Sequence, residues 1–417
     1  MNVNDSEKMN SLLLEKGLSK AEIPEGADIV IVNSCAVRDK AQQKIFSYIG
    51  RLDKRTKVVV AGCVAQAEKK TLLKRNSKID FVIGTHQYYD INKIVDDMFI
   101  SNQKGSETSF SKEWHEVIPP VFSRSSSISG YIPIMEGCNN FCTYCIVPFT
   151  RGREKYRPFE NIVKEAKFLE EKGYREIILI GQNVNSWKDP IEKKDFAQLL
   201  DYLGKNINVK WIRFITSYPG YYESELINVM KENRRIARHI HFPAQSGSTE
   251  LLKKMGRVYS REKYLEIINK FKKEIPEMKF SSDFIVGFPG ESRDDFEQTL
   301  SLMEQVRFDS IFSFIFSKRK FTKAAEYSDE TDYSEKRKRL EELQLLQRRI
   351  QMEDHEKMVG KEIDVLVTGE NKKREGEVLG RSESYKVVNF KSDDDPGSIV
   401  RIRVTGFGPY SLSGEKL

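Results

Sequence analysis

Short apolar runs separated by amphipathic stretches set the pattern of this chain. In the first hundred residues, Ile29-Val30-Ile31-Val32, Val58-Val59-Val60-Ala61 and Phe81-Val82-Ile83-Gly84 read as buried strands. Between them, Ala41, Ile45 and Ile49 recur at helical spacing. An opening helix is expected through Leu12, Leu13 and Leu14, capped by Asp5 and ended by Gly17. Strands alternating with helices predict a parallel α/β sheet, whose ligands gather at the carboxyl ends of its strands. Residues 101–128 break the pattern with Ser-, Asn- and Gly-rich stretches and read as a linker, with a short ordered part around Trp114.

From residue 129 the alternation returns. Strands are expected at Tyr131 to Met135, Glu176 to Gly181, Trp211 to Phe214, His239 to Phe242, Phe280 to Val286 and Ser310 to Phe316. A helix fits Pro158 to Glu171, with Ile162, Val163, Ala166 and Leu169 on one face and Gly173 past its end. Repeated βα units of this length predict a full or partial β/α barrel, with polar motifs past each strand on one rim. Residues 331–354 read as a charged helix whose charges form a solvated face, with Leu340, Leu343, Leu346 and Ile350 at helical spacing. Four short strands from Glu362 to Thr405 then predict a small five-stranded β-barrel, a shape often used on RNA. The expected fold is thus α/β, with an N-terminal parallel domain (1–100), a linker (101–128), a central barrel (129–352) and a C-terminal β-barrel (355–417).

Composition narrows the function classes. The 417 residues exceed one ordinary core. No apolar run approaches the roughly 20 residues of a membrane span, and Met1 to Ser6 shows no secretory pattern, so the expectation is a cytoplasmic protein with reduced thiols. The net charge of +7 permits a polyanionic partner without demanding one. Residues 355–417 hold eleven Lys and Arg against eleven Asp and Glu, so charge alone does not make that barrel an RNA binder.

All five cysteines fall at informative places. Cys138, Cys142 and Cys145 form a C-x3-C-x2-C loop. Three thiolates can hold three corners of a cubane iron–sulfur cluster and leave one iron open. An incomplete zinc site or chance clustering is the alternative, but structural zinc usually takes four Cys or His ligands in paired units, and no nearby His completes this set. Cys35 and Cys63 each follow an expected strand, where ligation and filling of a small apolar gap remain equally open. Gln182, Asn183, Gln245, Ser246 and Asp283 lie past strand ends, as rim contacts or as turn and cap residues. Arg151 and Arg153 follow the loop and could meet a carboxylate or phosphate, or form an exposed salt bridge. His239 and His241 alternate on one strand and read as core or surface residues.

These motifs together resemble a known family. The cysteine loop opening a β/α barrel is similar to that of radical S-adenosylmethionine (SAM) enzymes. Asn33 to Arg38, Gly62 to Gln66, Gly137 to Arg153, Gly181 to Ser186, Gln245 to Ser248 and Asp283 to Glu291 resemble the methylthiotransferases, and the terminal barrel resembles a TRAM domain. Cys35 to Arg38, Gly84-Thr85-His86 and Cys142 to Pro148 look most like the tRNA branch, which adds a methylthio group to C2 of N6-isopentenyladenosine beside the anticodon. The resemblance implies two 4Fe–4S clusters: one on Cys138, Cys142 and Cys145, whose open iron binds SAM and cleaves it to a 5′-deoxyadenosyl radical, and an auxiliary one with Cys35 and Cys63 as ligands. It implies a second SAM as methyl donor, with Asn183, Gln245, Arg151 and Tyr144 as candidate cofactor contacts. The implied partners are the tRNA anticodon stem-loop, an electron donor and a sulfur donor, with no membrane and a monomeric chain.

The family's N-terminal domain carries three cluster cysteines, the first in a Gly-Cys-Gln-Met-Asn stretch. This chain opens at the equivalent of that methionine, which leads to the expectation of a longer natural chain with a cysteine upstream. Two rivals stand beside this reading. One is the same chemistry on threonylcarbamoyladenosine or on an aspartate of a ribosomal protein. The other is an RNA-binding protein with a structural cluster.

Overall fold

A computed structural model describes residues 1–36, 39–372 and 374–417, without the side chains of 39–44. Val37 and Arg38 of the family-like Cys35 to Arg38 stretch lie outside the described residues. The fold is mixed α/β, and its contacts group into two compact units. The first comprises Met1–Ser125, Pro133–Asn161 and Ser317–Ala325; the second comprises Ser126–Ile132, Ile162–Phe316 and Glu326–Leu417. This grouping cuts across the segmentation expected from sequence, because the cysteine loop packs with the N-terminal residues.

The first unit is built on a parallel sheet of Ile29–Ser34, Lys57–Gly62, Phe81–Ile83 and Gly105–Glu107, in that order. Alternate side chains enter opposite cores. Val30, Val58, Val60 and Val82 join one apolar cluster, while Val59, Ala61, Phe81 and Ile83 join another. A sheet buried on both faces needs unbroken β-branched runs rather than alternation, and each fully buried Val or Ile contributes about 1.5–3 kcal/mol. The fourth strand comes from the expected linker. Gly105 fits there because a Cβ would lie 2.5 Å from the Phe81 ring. The opening helix spans Asn2–Glu15, so Asp5 sits inside its first turn instead of capping it. Its carboxylate is buried and paired with Arg151.

The second unit holds two three-stranded sheets: Ser129–Pro133, Glu176–Ile180 and Trp211–Ile215; and His239–His241, Lys279–Val286 and Ser310–Ile315. The expected strand Tyr131 to Met135 is split. The chain leaves the first sheet after Pro133, and Met135–Glu136 pairs instead with Lys155–Tyr156. On Lys279–Val286, Phe280, Ser282, Phe284 and Val286 are buried on one face, with Phe280 against Phe271 of the helix Arg261–Glu274. Asp283, expected past a strand end, lies inside this strand and pairs in register with Phe312; with Ser281 it occupies the opposite face and bonds His241.

The charged helix covers Tyr333–Glu356. Its buried stripe holds Leu343 and Ile350 but also Lys336 and Arg339, which pair with Asp329 and Glu291. The charges are therefore not all on a solvated face. Glu362–Glu370, Glu377–Ser382, Val387–Lys391, Ser411–Lys416 and Ile399–Phe407 close a barrel in that order. Its interior is apolar, with Val365, Val388, Phe390, Ile402 and Leu412 buried.

The terminal barrel docks within this unit through a buried ionic network. Glu176 is fully buried and accepts from Arg213 Nε at 2.5 Å, Arg381 Nη2 at 2.9 Å and Ser129 Oγ at 2.8 Å. Arg213 also donates to the carbonyls of Ser382 and Glu383 and lies 4.1 Å from the Tyr385 ring centre. Nearby, Lys386 pairs with Asp309 at 2.5 Å, both buried. Burial pushes the His239 imidazole down to about 3, against the opposing pull of Asp309.

Two outcomes follow from these packed charges. Glu176→Ala leaves two arginines without their shared carboxylate and lowers stability by about 3–5 kcal/mol, read from the urea midpoint of the chain. His239 must stay neutral when folded, whereas the unfolded imidazole takes up a proton below about pH 6.5. Stability therefore falls as pH drops through that value. A His239→Gln chain should show a shallower fall between pH 7 and pH 4 in the same titration.

Candidate metal centre

The cysteine loop is shaped by its backbone. Gly137 has φ +84°, and a Cβ there would sit 2.1 Å from the Arg153 carbonyl oxygen. Cys138 N–H donates to Gly152 O at 3.1 Å, which closes the loop. Cys145 N–H donates to Cys142 O at 2.9 Å, and Ala324 N–H reaches Thr143 O at 2.8 Å. None of the three cysteines is in a disulfide; Cys142 is buried and Cys138 and Cys145 are half-buried. Asn140 Nδ2 lies 3.4 Å from Cys138 Sγ. Burial pushes the Cys138 thiol up, partly offset by the Asn140 N–H. Iron binding would have to displace that proton, so loading releases protons.

Cys35 and Cys63 stand at the ends of adjacent parallel strands. Ser34 and Gly62 are register partners, and each cysteine is the next residue. Gly62 has φ +86°, and a Cβ there would lie 2.2 Å from Asn33 Oδ1. Cys63 opens the helix Cys63–Glu68 and is buried; Cys35 is half-buried. Neither is in a disulfide.

Within the first unit the two sets of cysteines share surroundings. Ile146, next to Cys145, belongs to the apolar cluster that contains Ala36, Cys63 and Val64. Arg151 is only 2% exposed. Its Nη2 donates to Asp5 Oδ2 and, at 2.9 Å, to Asn2 Oδ1; its Nη1 is 3.9 Å from Glu136. Burial opposes its charge, yet Asp5, Cys63 and Glu136 outweigh that and hold its pKa well above the usual range. Glu136 also pairs with Lys155 at 2.7 Å. His86 places Nε2 3.0 Å from Arg151 O, and its Nδ1 accepts from Ser111 N–H at 3.1 Å. Burial lowers the His86 pKa, against the pull of Glu136. The neutral tautomer with its proton on Nε2 satisfies both bonds. Thr85 Oγ1 donates to Thr150 O at 2.6 Å.

The donor chemistry fits iron–sulfur clusters. Among the described residues, no three His, Cys, Asp or Glu side chains converge on one point, as a single zinc ion would require. A cubane binds each thiolate through a different iron, so its ligands need no common point.

The remaining candidates fall into distinct settings. Tyr144 is half-buried in the loop. Arg151 is a buried member of an ion network rather than an exposed salt bridge. Arg153 is exposed, 4.2 Å from the Phe141 ring centre. In the second unit, Asn183 is 1% exposed and precedes the turn Val184–Ser186, and its carbonyl accepts from Ser186 Oγ at 2.9 Å. Gln245 adopts φ +69°, with its N–H on Asp283 O at 2.8 Å and its carbonyl on Ile285 N at 3.0 Å. Ser246 Oγ accepts from Ser248 N–H, and Ser248 caps the helix Thr249–Lys254. His241 bonds Ser281 Oγ at 2.9 Å and lies 3.4 Å from Asp283. The sequence reading missed Asp5, His86, Glu136 and Lys155 as partners of the loop. His86 carried a usable signal, since it follows the third parallel strand as Cys35 and Cys63 follow the first two.

Comparison with known proteins places these features. The chain matches three family models: Uncharacterized protein family UPF0004 over residues 1–84, the Radical SAM superfamily over 132–303 and the TRAM domain over 356–417. It is 40% identical over 424 residues to the tRNA-2-methylthio-N(6)-dimethylallyladenosine synthase of Carboxydothermus hydrogenoformans, covering 99% of this chain and 96% of that protein. It is 40% identical over 423 residues to the protein of the same name from Thermodesulfovibrio yellowstonii, covering 100% and 96%. Among solved structures, the radical S-adenosylmethionine methyltransferase TsrM from Kitasatospora setae aligns with TM-score 0.54 and 13% identity, over 77% of this chain and 71% of that one. The cobalamin-dependent S-adenosylmethionine radical enzyme OxsB aligns with TM-score 0.52 and 15% identity, over 83% and 53%. These two likenesses show a shared fold.

The loop's geometry predicts the effect of one methyl group. Gly137→Ala forces a Cβ against the Arg153 backbone at a left-handed φ. After anaerobic reconstitution, this variant should hold less iron and sulfide per chain than the natural protein, while the far-ultraviolet circular dichroism stays the same.

Proposed function

The chain belongs to the tRNA-2-methylthio-N(6)-dimethylallyladenosine synthase family, and we propose that it attaches a methylthio group to C2 of N6-isopentenyladenosine beside the anticodon of tRNA. The observation that carries this reading is similarity along the whole chain to relatives bearing that name, each matched over 96% of its own length. The cysteines of the loop and of the strand ends, none of them in a disulfide, support it.

Cys138, Cys142 and Cys145 would hold one 4Fe–4S cluster as thiolates. Cys35 and Cys63 would supply ligands to an auxiliary cluster. Together with bound SAM, these groups supply hydrogen abstraction from an unactivated aromatic C–H and a source of sulfur, chemistry outside the reach of acid–base side chains.

The chain's own residues bind, orient and exclude water. The Gly137 turn and the Cys138–Gly152 bond hold the loop's thiols in one short segment. Tyr144, Asn183 and Gln245 would contact SAM. Arg151 would act through the loop it anchors, because its Nη2 already donates to Asn2 and Asp5. The terminal barrel would contact the tRNA stem. A reducing electron donor and a sulfur donor would complete the cycle, with the chain acting as a cytoplasmic monomer. Among the described residues, no helix is long and apolar enough to cross a membrane.

Nucleoside mass spectrometry of tRNA from cells lacking the gene tests this directly. The reading expects 2-methylthio-N6-isopentenyladenosine to vanish and N6-isopentenyladenosine to accumulate. Unchanged levels of both would reject it.

A further inference from the structure

The outer side of the cysteine loop carries a feature that thiolate ligation does not use. Phe141 stands between Cys138 and Cys142 at φ +47° and is 42% exposed. Phe149, on the short helix Val147–Thr150, is 36% exposed, with its ring centre 6.3 Å from that of Phe141 in an edge-on arrangement. Phe321 is 55% exposed, 5.8 Å from Phe149 and tilted by 33°. One exposed phenylalanine is ordinary. Three in successive ring contact form an exposed apolar patch of the kind that marks an interaction site. Cations border it. The Arg153 guanidinium lies 4.2 Å from the Phe141 ring centre, and the Lys320 ammonium lies 5.7 Å from that of Phe321 and 3.5 Å from a Glu68 carboxylate.

We propose that this patch is a stacking platform for unpaired RNA bases, those of the anticodon loop next to the modified nucleoside. The proposal rests on the functional reading above. Every base has a π-face, so phenylalanine rings hold single-stranded RNA without reading its sequence. Arg153 over Phe141 extends the platform, since a guanidinium stacks on rings and pairs with phosphate. Lys320 at the other edge can meet a neighbouring phosphate. A base-and-phosphate chain matches rings at the centre and cations at the border. An acidic electron-carrier protein would use the cations but needs no row of open rings.

The test uses the full chain, anaerobically reconstituted, with isopentenylated tRNA and dithionite as reductant. Variants Phe149→Ala and Phe321→Ala remove single rings, Phe321→Trp keeps one, and iron content per chain verifies folding. Losing one stacked base should raise the tRNA Kd about ten-fold, with Phe321→Trp close to the natural value. Unchanged tRNA affinity in both alanine variants overturns the proposal. So does a defect that appears only when a protein electron carrier replaces dithionite, since the patch would then be a carrier dock. A natural chain that fails to methylthiolate the tRNA overturns the functional reading and this proposal with it. A natural chain that succeeds while both alanine variants keep its affinity overturns the platform alone.

Discussion

A charged arginine with almost no exposure must be paired, and the pairing of Arg151 organises the first unit. Its guanidinium reaches Asp5 on the opening helix and approaches Glu136, which enters the cysteine loop just before Gly137. Glu136 is shared with Lys155, which follows the loop. The Arg151 carbonyl takes a bond from His86 at the end of the third parallel strand. The entry and exit of the loop, the opening helix and the end of the third strand therefore meet in one network. Taking away one partner would leave a buried charge uncompensated, which is far more costly than losing an exposed ion pair.

This network explains why the loop packs with the N-terminal residues. Ile146 enters the same apolar cluster as Ala36 and Cys63, so ion pairs and apolar burial act at the same place. Both sets of cysteines thus belong to one compact unit. In the proposed function, the segments that would carry the radical-generating cluster and the sulfur-bearing cluster are positioned by shared contacts. The terminal barrel, by contrast, is tied to Glu176 and Arg213 in the second unit.

Much of this was legible in the sequence. The runs Ile29 to Val32 and Val58 to Ala61 are β-branched and unbroken, so they marked a sheet covered on both faces and put Cys35 and Cys63 at the carboxyl ends of its strands. The five-stranded terminal barrel was legible from its short alternating strands. Other features depend on partners distant in sequence. Asp5 looks like a helix cap because caps are local; its true partner, Arg151, lies far along the chain. Gly105 to Glu107 has no strand propensity, and it pairs only because Phe81 to Ile83 offers an open edge. The charges of Lys336 and Arg339 appear solvated until Asp329 and Glu291 are seen to face them. The break after Pro133 follows from the pairing of Met135 with Tyr156, again a distant contact.

The most direct test of the account separates the two sets of thiols. A reconstituted Cys35→Ala/Cys63→Ala chain and a Cys138→Ala chain would be given SAM, reductant and isopentenylated tRNA, and 5′-deoxyadenosine and methylthiolated nucleoside would be measured together. The account predicts that the first variant still releases 5′-deoxyadenosine without forming the methylthio product, and that the second forms neither. Methylthiolated product from the Cys35→Ala/Cys63→Ala chain would contradict it.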